Sequence, residues 1–327
     1  MKFSIVMPLY NGSQYLLETL ESIYKLDYKN YELIIIDDGS SDKSSDIFYE
    51  YIKNFKINNF FYYKQRNQGP NVARNTGLKY CSGDYVIFLD SDDLLNSDCL
   101  NILNRELKDV FFDFLCFGFS FFDGESKKEL SRKSYFREIL VNEDINRESF
   151  SGTKISGISW NKCYNLNFLN SNNIRFTPDK LHGRDILFSR MCAIHAMKIL
   201  IIPDLICFSR YHSNSFSRTF SERNITSAID LCEKHYENFC GKIDSDLIFF
   251  AINKHINYIF IISSFRTLIY SDFIRFYGML NLGKKELLKS GLYESDRKTI
   301  LMDMLFNYPR LTWGLCKILK TIGYKPY

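Results

Sequence analysis

Apolar positions along the first hundred residues alternate between short extended runs and stretches with helical spacing. KFSIVMPLYN, residues 2–11, reads as a strand broken by Pro8. QYLLETLESIY, residues 14–24, has the spacing of an amphipathic helix, and YELIIIDDGSSD, residues 31–42, returns to a strand. Strand, helix, strand in so short a stretch is a βαβ unit, and it predicts a parallel sheet. Gly69 and Pro70 open a further helix that carries Arg74, Asn75 and Gly77, and VIFLDSDD, residues 86–93, is another apolar strand ending in a turn. From about Ser221 the pattern changes. AIDLCEKHYENF, DLIFFAINKHINYIFIISSFRTLIY, DFIRFYGMLNL, RKTILMDMLF and LTWGLCKILKTIG all show helix-like apolar spacing, which predicts a helical C-terminal extension. We therefore divide the chain into an α/β domain, residues 1–220, and a helical extension, residues 221–327.

Ligands of open parallel sheets gather at the carboxyl ends of the strands, where Asn11, Asp37, Asp38, Asp90 and Asp92 all fall. The densest charge is in VIFLDSDD, which brings Asp90, Asp92 and Asp93 into one short turn. If the chain curls at Ser91, Asp90 and Asp92 face one divalent ion that keeps open sites for a phosphate. A solvated strand end, or a helix cap before LLNSDCLNIL, is the bland reading of the same residues. Ser40 and Ser41, after Gly39, have hydroxyls suited to capping a helix that begins near Asp42 or to holding a nucleotide. Arg74 suits a phosphate contact or a neighbouring carboxylate. No GxGxxG or GxxxxGK[ST] is present, so a metal is the candidate for handling phosphates.

Taken together, VMPLYN (6–11), IIIDDGSSD (34–42), NQGPNVARNTGL (67–78), SGDYVIFLDSDD (82–93) and SWNKCYN (159–165) resemble the family 2 glycosyltransferases of GT-A fold. These enzymes are common in bacterial capsule, lipopolysaccharide and exopolysaccharide synthesis. The likeness runs over roughly residues 1–217. It implies a nucleotide-binding, mostly parallel mixed sheet flanked by helices. It also implies transfer of a hexose or N-acetylhexosamine from a nucleotide sugar, a UDP sugar, to a hydroxyl of a glycan or lipid-linked glycan, with inversion.

The resemblance places Pro8, Tyr10 and Asn11 around the base and ribose and gives Asp38 the uracil N–H. Asn67, Arg74, Asn75 and Ser91 then join the nucleotide-sugar pocket, and Asp90 and Asp92 form the DxD that holds Mn2+ or Mg2+ on the diphosphate. The general base of the family is the second residue of a Glu-Asp pair. Here the pair reads Arg184–Asp185, so Asp185 matches the base beside a cation that lowers a carboxylate's proton affinity if the two side chains meet. In LICFSRYHSNSFSR, His212 is a third candidate metal ligand or phosphate contact, and Arg210 or Arg218 a clamp on the leaving group. Trp160 and Lys162 are candidates for the acceptor side.

An apolar fraction of 46% over 327 residues is ample for a core. Charge is uneven: residues 251–327 hold 12 Lys and Arg against 5 Asp and Glu, and the rest of the chain 30 against 33. The aromatics of this basic tail lie on apolar helical faces with no nucleic-acid motif beside them, so nucleic acid is not the expected partner. An anionic membrane surface suits it, with Trp313, Leu315, Ile318 and Leu319 entering the interface; packing on the α/β domain or in a dimer is the alternative. No apolar run reaches the roughly 18–20 residues of a bilayer span, and no signal peptide is recognisable. Nine cysteines without a CxxC read as buried thiols, with neither disulfides nor structural zinc. The expected location is the cytoplasm or the cytoplasmic face of the inner membrane. Two function classes follow: an inverting transferase, or a non-catalytic GT-A-like protein that binds nucleotide sugar or partner enzymes, the latter raised by Arg184.

Overall fold

The computed structural model describes residues 1–179, 181, 183–211 and 222–266, with isolated positions between 274 and 317. It separates into two compact units, residues 1–180 with 184–213, and residues 181–183 with 214–327.

The first unit is built on strands β1 (Phe3–Leu9), β2 (Tyr31–Asp37), β3 (Phe60–Lys64) and β4 (Tyr85–Phe88), parallel and in the order β3–β2–β1–β4. Helices α1 (Leu16–Tyr24), α2 (Ser44–Phe55) and α3 (Pro70–Tyr80) connect them. Every residue of β1 and β2 is buried, as expected of strands covered on both faces, and their sequences are apolar but for Ser4, Glu32 and Asp37. Pro8 does not end β1. It pairs with Ile36, while the pairing with β4 stops at Val6, so the missing N–H falls beyond that ladder.

Beyond β4 come β5 (Leu94–Leu95), α4 (Cys99–Leu107), β6 (Phe114–Asp123), β7 (Glu129–Lys133), β8 (Glu138–Val141), α5 (Glu143–Ser151), β9 (Lys162–Asn165), α6 (Leu166–Ser171), α7 (Arg184–His195) and β10 (Lys198–Tyr211). The sheet continues β4–β9–β6–β10–β5, with β9 antiparallel to both neighbours and β10 parallel to β6. The sheet is therefore mixed, parallel at its N-terminal half, and the molecule is α/β.

Alternation along β1 divides the core. Phe3, Ile5, Met7 and Leu9 join a cluster with α1, α2 and α4, whereas Val6 joins the opposite one with Phe168, Phe188 and Cys192. Gly77 permits the close approach of α3: a Cβ there would lie 2.4 Å from Val6 Cγ1. Among the described residues the cysteines form no disulfide.

In the second unit, α8 (Glu222–Phe239) and α9 (Ser245–Arg266) pack on each other, and Leu231 and Cys232 of α8 and Ile248 and Ile252 of α9 are buried. None of the helices among the described residues is long and apolar enough to cross a membrane. Leu315, Ile318 and Leu319 lie outside the described residues.

Candidate active site

The carboxyl ends of β1, β2 and β4 form one rim, because parallel pairing aligns Leu9 with Asp37 and Val6 with Phe88. Two loops leave this rim and are tied together. The Asn11 amide donates to Ser40 Oγ at 2.9 Å, the Ser41 amide to Asn11 Oδ1 at 2.9 Å, and the Ser13 amide to Asp42 Oδ2 at 2.9 Å. Asn11 adopts a left-handed backbone (φ 49°), which Asn tolerates better than most residues. The hydroxyls of Ser40 and Ser44 thus brace one loop against the other, and the Tyr10 side chain is left exposed at the edge. Pro8 is buried beneath it within β1.

Asp37 and Asp38 both turn inward. Asp37 accepts from the Ser40 amide at 2.7 Å and the Tyr62 hydroxyl at 2.8 Å. Burial raises its carboxyl, but these donors and Lys64 more than offset that and hold it below the usual range. Asp38 accepts from Gln65 Nε2 and the Gln68 amide at 2.8 Å and from the Gly69 amide at 2.7 Å. It is the peg for the loop before α3, and Asn67 lies on that loop, its amide 3.1 Å from the place a Cβ on Gly39 would take. These three donors leave one of the carboxylate's roughly four lone-pair sites untaken, on a residue that is 3% exposed.

The 90–93 turn sorts its three carboxylates. It is closed by the Asp93 amide donating to the Asp90 carbonyl at 3.1 Å, and Thr19 Oγ1 donates to the Ser91 carbonyl at 3.0 Å. Asp93 turns into the interior and accepts the Arg210 amide at 2.8 Å; burial, then the neighbouring Asp92 and Asp90, push its carboxyl well up. Asp90 and Asp92 are half-buried at the rim. Burial raises the Asp90 carboxyl, Arg74 opposes this, and Asp92 and Asp185 add to it, leaving it above its ordinary value.

Arg74, buried on α3, joins this turn to the far side of the site. Its Nη2 donates to Asp90 at 2.7 Å, its Nη1 to Asn71 at 3.2 Å and to Asp185 at 3.5 Å, and the guanidinium lies 5.5 Å from the Phe176 ring. Phe176 stacks on Phe188 at 3.8 Å and meets Phe88 edge-on at 5.0 Å, so the end of β4, the 174–179 segment and α7 share one aromatic core. Asn75 holds that segment by a reciprocal pair to the Phe176 backbone, 2.8 and 2.9 Å. Asp185 sits in the first turn of α7 and accepts the Ser159 hydroxyl at 2.9 Å. Arg184 points elsewhere: its Nε donates to both Asp179 oxygens at 2.9 and 2.8 Å, and its side chain is 1% exposed. The cation that meets Asp185 is Arg74, not Arg184.

Among the described residues no group of three His, Cys, Asp or Glu is assembled for a metal. Mg2+ and Mn2+, however, are commonly held by one or two carboxylates completed by substrate phosphates. Asp90 and Asp92, hard oxygen donors half-buried side by side at the rim, fit such an ion. His212 and Arg218 lie outside the described residues.

Residues 4–164 match the family profile described as Glycosyl transferase family 2. This part of the chain is a family 2 glycosyltransferase domain. Over 236 residues the chain is 27% identical to the glycosyltransferase GlyA of Streptococcus pneumoniae, covering 70% of this chain and 33% of GlyA. Poly(ribitol-phosphate) beta-N-acetylglucosaminyltransferase TarS of Staphylococcus aureus is 28% identical over 209 residues, 62% of this chain and 34% of TarS. The chain thus spans about a third of the length of these relatives. Among solved structures, S. aureus TarS 1-349 in complex with UDP-GlcNAc superposes with a TM-score of 0.70 at 21% identity, over 100% of this chain and 93% of that one. The mannosyltransferase PcManGT of Pyrobaculum calidifontis, in complex with GDP-Man and Mn2+, gives 0.57 at 15% identity, over 99% and 88%. At these identities the superpositions speak for the GT-A fold.

Three sequence-based candidates, Trp160, Lys162 and Arg210, have buried side chains in the structure. Trp160 is 8% exposed and packs edge-on against Phe119 at 4.7 Å. Lys162 is fully buried, its ammonium donating to the carbonyls of Ser156 (2.8 Å) and Ile158 (2.6 Å) and to Asn161 Oδ1 (2.9 Å). Both hold the 156–162 loop that presents Ser159. Arg210 is buried against the 90–93 turn and has no exposed face for a leaving group. Ser159 and Asp179 were missed as supports of Asp185 and Arg184. A serine flanking WNK was the available signal for Ser159; for Asp179 the sequence carries none.

Proposed function

We propose that this chain is an inverting glycosyltransferase that moves a hexosyl or N-acetylhexosaminyl group from a UDP sugar to a hydroxyl of a bacterial surface glycan or its lipid-linked precursor. One observation carries this reading: a single buried guanidinium touches Asp90 and Asp185, residues from distant parts of the chain, so the diphosphate-side carboxylate and the candidate base belong to one site. Asp90 and Asp92 hold Mn2+ or Mg2+, which when bound neutralises charge on the departing diphosphate. The rim formed by Pro8, Tyr10, Asn11 and Asn67 receives the nucleoside, with Asp38 accepting the uracil N–H through its remaining lone pair. Arg74, Asn75 and Ser91 set the pocket walls.

Asp185 takes the proton from the acceptor hydroxyl as C1 of the sugar is attacked from the face opposite the diphosphate. Ser159 donates to one oxygen of Asp185 and Arg74 faces the other, and the two contacts orient the carboxylate. The non-catalytic reading rested on Arg184, whose side chain goes to Asp179 and leaves Asp185 with its own partners. The basic C-terminal segment is assigned to the cytoplasmic membrane surface, where a lipid-linked acceptor would be met.

The test is binding and slow hydrolysis of UDP, GDP and CMP sugars by the purified chain, with Mn2+ and then with chelator. The expected result is recognition of one UDP sugar that is lost on chelation. A folded chain that binds none of the panel overturns the proposal.

A further inference from the structure

Behind the metal turn lies a second buried arginine that the chemistry above does not use. Arg210, near the end of β10, is 3% exposed. Its guanidinium lies between two rings, 4.6 Å from the Tyr15 centroid and 4.8 Å from that of Phe122. Nε donates to the Asp92 carbonyl at 2.8 Å, Nη2 to Glu18 Oε2 at 2.8 Å, and the backbone amide to the Asp93 carboxylate at 2.8 Å. Glu18 in turn accepts Lys127 Nζ at 2.7 Å.

These contacts converge on two consecutive residues of the turn. A short turn closed by one internal backbone bond does not by itself fix where two carboxylates point. Arg210 grips it from the outside at the peptide that follows Asp92, and a planar guanidinium held between rings has little freedom to rotate. Burying such a cation is unfavourable unless it is paired, and Glu18 supplies the pairing.

We propose that Arg210 is a positioning residue for the metal turn and that Glu18 orients it. The Arg210 side chain acts through the Asp92 carbonyl, while the backbone amide of the same residue holds the Asp93 carboxylate. The inference rests on the reading of Asp90 and Asp92 as the metal carboxylates.

The experiment is titration of Mn2+ into the full chain in the presence of UDP, followed by calorimetry, with thermal midpoints measured in metal-free buffer. Arg210→Lys keeps the charge and loses the planar fork; Glu18→Ala removes the orienting partner from a more exposed position. Both are expected to weaken Mn2+ binding about 10- to 100-fold, the range found for groups that orient metal ligands, while the folded protein persists. Wild-type Mn2+ affinity in the folded variants would overturn the proposal and leave Arg210 a packing residue. If Arg210→Lys does not fold, Glu18→Ala decides alone. A wild-type chain that takes up no Mn2+ with UDP present would instead overturn the metal reading of Asp90 and Asp92, and this inference with it.

Discussion

At the scale of single residues, the carboxylates divide by what their neighbours donate. Asp92→Ala is expected to abolish both transfer and metal-dependent donor binding, whereas Asp185→Asn is expected to lower transfer about 10²- to 10⁴-fold with donor binding intact; titration with and without chelator separates the two. Unchanged turnover in either variant removes that residue from its role. Arg184 behaves differently from the expectation its position raised. Restoring a Glu there would set a carboxylate against Asp179 in a buried place, so Arg184→Glu is expected to lose roughly 3–5 kcal/mol of stability, readable by urea unfolding, rather than to gain activity. Adjacency in sequence said nothing about this partner. On a helix, neighbouring side chains diverge, and only the path of the 174–179 segment brings Asp179 to Arg184.

Among the elements, β1, α1, β2, α3 and β4 were legible because apolar strand runs and helical spacing alternate there and are bounded by turn chemistry such as Gly69–Pro70. Their burial follows directly, and so does one test. Gly77→Ala would push a Cβ to 2.4 Å from Val6 Cγ1, forcing α3 away from β1 at a loss of about 1–3 kcal/mol in chemical denaturation. A variant as stable as wild type would mean the helix can shift freely, and Arg74 with it. The mixed half of the sheet, β9–β6–β10–β5, was not legible as a sheet. FFDFLCFGFSFF is apolar but for Asp113, Gly118 and Ser120, and such a run does not state its neighbours; only the fold shows β6 between β9 and β10.

Over the whole molecule, stability should depend on acid. Glu32, Asp37 and Asp42 are each raised by burial, yet hydrogen bonds from Lys2 and Ser4, from Ser40, and from Ser44 and Ser13 bring them below the usual carboxylate range. A folded value below the unfolded one means stabilisation that is complete above about pH 4–5 and lost as pH falls through the folded values. The thermal midpoint is therefore expected to drop steeply from about pH 4 toward pH 2, and Glu32→Gln to flatten part of that drop. A flat acid limb would contradict the hydrogen-bonded carboxylates. Asp93 acts with the opposite sign, since its raised value makes it a liability as pH rises above the ordinary range.

Order and spacing of motifs sufficed for the family, the parallel half of the sheet and the acidic rim, because periodicity and turn residues are local properties of the chain. Direction was beyond the sequence. Which of Asp90, Asp92 and Asp93 faces outward, that Lys162 and Trp160 face inward, and that Arg74 rather than Arg184 meets Asp185 depend on long-range packing. A side chain's environment is set by elements tens of residues away, and no local pattern encodes which of them will be nearest.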